Sequence, residues 1–322
     1  MLAEALRLTT SQEDIDELTA QLEAELKECE ATTVSYKNKL KQFMMENDIW
    51  QISELNYYWR EKYCEYLKNR MSKTSCELYI KTFDRVKLHS LRKQPQIILA
   101  GKRQRLEYAD EILYLPYHPN IEIAERFCRE NNKNLLAWDF TLIAAEKLKR
   151  QIFQVLHYFI ENAANSERMH AQLGGLARLY DFCILEQIED LEKLEIDQIE
   201  RFQKTFTTEY QRHYYAGVTY WCGRALFMEA EEIHWDANVW YMERMHLQPE
   251  RIDPAAPIMS LSFAEVTNKE NRKLLQKYLR YGIGIANLSI SSLRTEFLVV
   301  RKFLGDMNQP ETENICMVTE QQ

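Results

Sequence analysis

The chain has 322 residues, 46% of them hydrophobic and 28% charged, with a formal net charge of −8. At ~100–200 residues per domain this predicts two or three domains with real apolar cores, and it excludes disorder throughout. Only 8 glycines and 7 prolines argue against collagen-like, linker-like or turn-rich all-β sequence, and the absence of both G-x-G-x-x-G and G-x-x-x-x-G-K-[ST] argues against phosphate-cradling loops.

Helical periodicity dominates from the start. Ser11-Gln-Glu-Asp14 reads as a capping box, followed by Ile15, Leu18, Leu22 and Leu26 at helical spacing. Glu13, Asp14, Asp16 and Glu17 suit the positive end of that helix dipole, so residues 1–30 read as an acidic N-terminal arm. A second helix runs from about Val34 to Glu46, with Tyr36, Leu40 and Phe43 on one face. Ser53 then caps a helix carrying Leu55, Trp59, Tyr63, Tyr66 and Leu67. Ser72 or Thr74 opens another, offering Leu78, Ile80, Phe83, Val86 and Leu91 for burial. Pro95, Gly101, Pro116 and Pro119 break the pattern, which makes 96–138 an irregular connector, with Gln96 to Leu99 as a short strand.

Helices resume over Leu142–Ile160, Ser166–Glu186 and Asp197 to about Tyr210. The stretch 213–257 is rich in Tyr and Trp, which fill cores more often than they stack on bases. Pro249, Pro254 and Pro257 mark a linker. Ser262-Phe-Ala-Glu265 reads as a further capping box, before a helix from about Asn268 to Tyr281, a break at Gly282 and Gly284, and a closing helix over Ser291–Leu304. Residues 308–322 read as a disordered tail. The expected fold is all-α: two or three small helical bundle modules in series, at 31–95, 139–212 and 258–307.

No run approaches the ~20 apolar residues of a membrane span; Ile97-Ile98-Leu99-Ala100 stands between Lys93 and Lys102. The opening Met-Leu-Ala-Glu lacks a basic segment followed by an apolar one, so no secretory signal is expected. Cys29, Cys64, Cys76, Cys128, Cys183, Cys222 and Cys316 are odd in number, far apart and never in a C-x-x-C pair. They read as reduced, mostly buried thiols of a cytoplasmic protein, with neither a disulfide framework nor a zinc site.

Charge is unevenly spread. Residues 31–110 carry a net +7 and residues 266–302 a net +6, inside an otherwise acidic chain. A cationic face attracts phosphate locally even on an anionic protein, because screening confines fields to ~8 Å at physiological salt. Solvated helix surfaces are the plainer explanation.

Three stretches share a layout. The first runs Tyr36-x3-Leu40-x2-Phe43, then Tyr63-x2-Tyr66-Leu67. The second runs Ile152-x3-Leu156-x2-Phe159, then Leu173-x2-Leu176-x2-Leu179. The third runs Phe263-x2-Val266, Arg272-x2-Leu275-x2-Tyr278-Leu279, Leu288-Ser289-x2-Ser292-Leu293, and ends Phe303-Leu304. This layout resembles the core-binding, SAM-like helical domain at the front of tyrosine recombinases, the phage-type integrases of bacterial mobile elements. Over 235–305 the likeness is fullest, with Trp235-Asp236-x3-Trp240-Tyr241-x2-Arg244 leading into Asn268-x2-Asn271-Arg272.

The resemblance implies a DNA clamp half, without a catalytic half. In that family a following domain carries Arg, His-x-x-Arg, a second His or Trp, and a tyrosine nucleophile. Here His89-Ser-Leu-Arg92 comes too early, Gly223-Arg224 has no matching His-x-x-Arg after it, and His234 and His246 lead to no tyrosine. The expected function is therefore the DNA-binding portion of a site-specific recombinase active in DNA integration and recombination, without catalytic residues of its own. No metal or cofactor is expected. The implied partners are double-stranded DNA and a catalytic recombinase subunit or further protomers, and no membrane.

The candidate DNA contacts are Lys37, Lys39, Lys41 and Lys73 in the first module, and Lys269, Arg272, Lys273, Lys277, Arg280, Arg294, Arg301 and Lys302 in the third. Positions 269, 273, 277 and 280 form a helical stripe, with Leu274, Leu275, Tyr278 and Leu279 expected to face the core. Arg272 and Arg294 are the candidates for groove contacts, since a guanidinium fork suits guanine edges. Two alternatives stand beside this. One is a non-enzymatic helical scaffold. The other is a di-iron bundle built on Glu167/His170, Glu231/His234 and Glu243/His246, although i, i+3 ion pairs explain those equally.

Overall fold

A computed structural model describes residues 12–29, 33–94, 108–130, 132, 135–252 and 257–306. The chain folds as two compact units that divide between Leu142 and Ile143. The all-α expectation holds: strands among the described residues are confined to two short antiparallel pairs.

In the first unit α1 spans Gln12–Glu28, α2 Val34–Glu46, α3 Tyr57–Lys68 and α4 Lys73–Lys93. Their inward faces supply one core, with Leu22, Leu40, Met44, Tyr63, Leu67, Phe83 and Val86 buried. Helix α1 is thus no free arm, because Leu22, Leu26 and Cys29 lie inside that core. Ser53 caps no α-helix; it lies in a 3-10 turn over Ile52–Glu54. The helix beyond it starts three residues later, where the Asn56 side chain accepts from the Trp59 amide at 3.1 Å. Ser72 does cap α4, accepting from the Ser75 amide.

Part of the expected connector is ordered structure. Strand β1, Ile112–Tyr114, pairs with β2, Ala137–Asp139, in the register Leu113 to Trp138. Between them lies α5, Ile121–Phe127, capped by Asn120. Arg60 on α3 pairs with Asp84 on α4 at 2.8 Å, and the Tyr117 hydroxyl donates to the same carboxylate at 2.5 Å. That cluster fixes the chain after β1 against the helices. The expected strand over 96–99 lies outside the described residues.

In the second unit α6 spans Glu146–Asn162, α7 Ser166–Leu185, α8 Ile196–Lys204, α9 Glu209–Tyr215 and α10 Val218–Glu229. Helix α6 begins four residues after the expected start, and Ile143 is left 97% exposed. Strand β3, Val239–Tyr241, pairs with β4, Ser260–Ser262. Helix α11, Lys269–Gly284, and helix α12, Ile290–Asp306, close the unit. Ser262 ends β4 instead of capping a helix; Asn268 caps α11, accepting from the Glu270 and Asn271 amides at 3.0 Å.

The aromatic stretch is core. Phe227, Trp240, Tyr241 and Phe263 pack with Leu275, Leu279, Leu293 and Phe297. The third expected module therefore shares its interior with the segment before it. Gly282 does not break α11. It lies within the helix, where an added Cβ would come 2.6 Å from Leu293 Cδ2, so its small size lets α12 approach. Among the described residues four that bear a Cβ, Asp48, Gln187, His246 and Asn287, sit in the left-handed region with φ of 55°, 55°, 46° and 51°. The expected tail, 308–322, lies outside the described residues.

Candidate nucleic-acid interface

The basic residues of the first unit are largely occupied. Lys37 donates to the Cys29 carbonyl at the end of α1. Lys41 pairs with Glu23 of α1 at 2.6 Å. Lys39 donates to Gln42 at 3.0 Å and lies 5.2 Å from the centre of the Tyr66 ring. Lys93 pairs with Glu28. That contact holds the Glu28 carboxyl below, and the Lys93 ammonium above, their ordinary ranges. The acidic helix α1 thus lies along the basic block and neutralises part of it. Lys73, at the start of α4, is exposed.

In the second unit Lys269, Lys273, Lys277 and Arg280 are all exposed along one edge of α11. Spacings of four, four and three residues keep them on one side of the helix over ~16 Å. Lys273 pairs with Glu270 at 2.8 Å. Arg280 lies 5.0 Å over the Trp235 ring, which anchors its guanidinium while leaving its edge to solvent. Lys269, Lys277, Arg294 and Lys302 have no ion-pair partner among the described residues. Arg301 is half-buried; it pairs with Glu265 at 3.1 Å and lies over the Phe297 ring.

Arg272, expected at the groove, is in the core. It is 6% exposed. Its Nε donates to the Val266 carbonyl at 2.8 Å, Nη1 to Asn238 Oδ1 at 2.8 Å, and Nη1 and Nη2 to the Glu195 carboxylate at 2.9 and 2.5 Å. A guanidinium so enclosed cannot reach a base. The signal was in the periodicity, since Arg272 stands three and seven residues before Leu275 and Leu279, both buried. Leu274 and Tyr278 do not face the core as expected. They are 37% and 45% exposed, on the flank of α11 beside the cationic edge.

The other constellations are engaged elsewhere. Among the described residues no group of three or more His, Cys, Asp or Glu is placed to hold a metal. Only Glu167/His170 shares an α-helix, and Glu167 accepts from the Tyr214 hydroxyl at 3.2 Å. His234 Nδ1 lies 2.7 Å from Glu192, and Glu243 binds Arg224 at 2.5 Å. Burial pushes the Glu192 carboxyl up, with His234 opposing. Arg92 of the His-x-x-Arg sequence pairs with Glu125 at 2.7 Å. A cavity of about 200 Å³ is lined by Leu194, Ile199, Tyr220, Asn238 and Tyr241 among others. Its Asn238 is engaged by Arg272 and by the Leu194 carbonyl at 2.9 Å, and Glu192 by His234, while the hydroxyls of Thr219, Tyr220, Ser260 and Ser262 complete its polar lining.

The six cysteines among the described residues are free, and all but Cys128 are buried; Cys316 lies outside them. Among the described residues no helix is long and apolar enough to cross a membrane. In comparisons with known proteins, no family model, no curated protein and no solved structure matches the chain.

Proposed function

We propose that the chain binds double-stranded DNA through the cationic edge of α11, with Arg294 and Lys302 of α12 adding charge. It would act as the DNA-gripping portion of a site-specific recombinase whose strand-transfer residues are supplied by another subunit or segment. The observation that carries this reading is the row Lys269, Lys273, Lys277 and Arg280, four exposed cations on one rigid helix. Its length of ~16 Å matches the rise of about five base pairs, with a phosphate on each strand every 3.4 Å. A row of ammonium groups fits such a backbone without selecting a sequence. The free, buried thiols support a cytoplasmic setting.

Fluorescence anisotropy on a labelled duplex across a salt series tests this. With the four cations of α11 and the two of α12 in contact, log K should fall against log salt with a slope of roughly −5. Lys269→Ala with Lys277→Ala should flatten the slope by about two. No binding at low salt, or a slope that the double substitution leaves unchanged, overturns the proposal. The scaffold reading is favoured by a different observation, the exposed apolar flank of the same hairpin.

A further inference from the structure

Helix α11 has two apolar faces. The inner one, Leu275, Leu279 and Ile283, is buried. The outer one carries Leu274, Tyr278 and Tyr281 at i, i+4 and i+7, and Ile285, the residue that ends the helix, continues it at i+11, a stripe three turns long. These four are 37%, 45%, 55% and 71% exposed. On α12, Val299 and Phe303 stand one turn apart and are 66% and 52% exposed. The two stripes lie along one seam. The Tyr278 hydroxyl donates to Glu296, one turn before Val299 on its side of α12, and Gly282 admits Leu293 between the helices. Six large apolar side chains in the open expose on the order of 500 Å², at the upper end for any monomer surface and typical of an interaction site.

The surround is cationic. Lys273, Lys277 and Arg280 border the stripe on α11, and Lys302 borders it on α12 beside Phe303. Two acids border the seam: Glu296 is engaged by the Tyr278 hydroxyl, and Glu270, one turn before Leu274, pairs with Lys273, which leaves Lys277, Arg280 and Lys302 as the cations without a carboxylate among the described residues. We propose that this seam is the docking groove for an acidic amphipathic helix of a partner protein. Its apolar side chains would lie between α11 and α12, and its flanking carboxylates would meet Lys277 and Lys302. Charge argues against a second copy of the hairpin as occupant, because pairing would set lysine against lysine. The length fits as well, since Leu274 to Ile285 spans ~17 Å, three turns of a docked helix. The proposal does not rest on the DNA reading, which leaves the apolar stripe unused, although the two share Lys277 and Lys302.

The test uses the full chain and a synthetic helical peptide of about four turns. The peptide carries leucines at i, i+4, i+7 and i+11 with glutamates on both flanks; a twin carries lysines in place of the glutamates. The acidic peptide should bind saturably, at least tenfold tighter than its twin. Ile285→Ser with Val299→Ser removes exposed side chains only. It should leave the circular dichroism and the DNA affinity unchanged and weaken the acidic peptide at least tenfold. Equal affinity for the two peptides, no binding of either, or binding indifferent to the double substitution overturns the proposal. So does a result in which phosphatidylserine vesicles bind through Ile285 and Val299 while the peptide does not. Absence of DNA binding by the unaltered chain at low salt, with the acidic peptide still bound, would fail the DNA reading and leave this one standing.

Discussion

A guanidinium enclosed by protein needs a partner for each nitrogen, and Arg272 has them in the Val266 carbonyl, Asn238 and Glu195. Glu195 also caps α8, so a single carboxylate ties α8 to α11. Removing the cation strands that carboxylate. Arg272→Ala should cost about 3 kcal/mol in urea denaturation of the second unit, whereas Arg294→Ala, on the exposed side of α12, should cost almost nothing. Lys87 presents the opposite case, a buried ammonium with one bond, to the Ser53 carbonyl at 2.9 Å. Burial pulls its value down from 10.5 to about 8. The folded state therefore prefers the neutral amine, and stability rises as pH climbs from 8 toward 10.5. Denaturation midpoints at about pH 7.5 and 9.5 should show that rise in the first unit, and Lys87→Met should abolish it. Neither residue's role was legible from sequence. Arg272 looks like one more member of a basic helix until its partner, 77 residues away, is in place.

The elements themselves were far more legible, because apolar spacing sets helices locally. The errors fell at their ends. Ser53 and Ser262 have capping chemistry, but a 3-10 turn and a strand claim them, and the true caps are Asn56 and Asn268. Neither strand pair shows in the local pattern, since each strand is three residues long and its partners lie 19 to 27 positions away. Helix α1 shows how context changes an element's meaning. Its apolar side is core, and its acidic side holds Lys41 and Lys93. Glu23→Gln with Glu28→Gln should barely move the denaturation midpoint, since both pairs are exposed. In the DNA titration it should steepen the salt slope by up to about two, by releasing two lysines to phosphate. An unchanged slope would show that the first unit takes no part in binding.

At the scale of the whole molecule, two or three modules in series were expected, and the chain divides into two compact units, with the segment 258–306 not a unit of its own. The reason is the aromatic stretch. Trp240 and Tyr241 look like connector from composition, yet β3 pairs with β4 and sets Trp240 on Phe263, which meets Phe297 of α12, and Tyr241 on Tyr220 and Phe227 of α10. Residues 1–142 and 143–322, expressed separately, should each unfold cooperatively, followed by circular dichroism. A piece starting at Pro257 should not, because it lacks Phe227, Trp240 and Tyr241. Of the candidate interface, the cationic row was legible as simple helical spacing. The apolar seam beside it was not, since an outward leucine and an inward one look alike until the neighbouring helix is fixed.

The left-handed residues carry a practical consequence. Asp48, Gln187, His246 and Asn287 all hold a conformation in which a side chain is a steric burden that glycine would not feel. This glycine-poor chain thus keeps four such positions among its described residues. Asn287 is held by Arg251 and stands two residues from Ile285 of the seam, whereas Gln187 and His246 belong to neither the proposed DNA edge nor the seam, so a glycine at either is a natural starting point for a sturdier version of the protein.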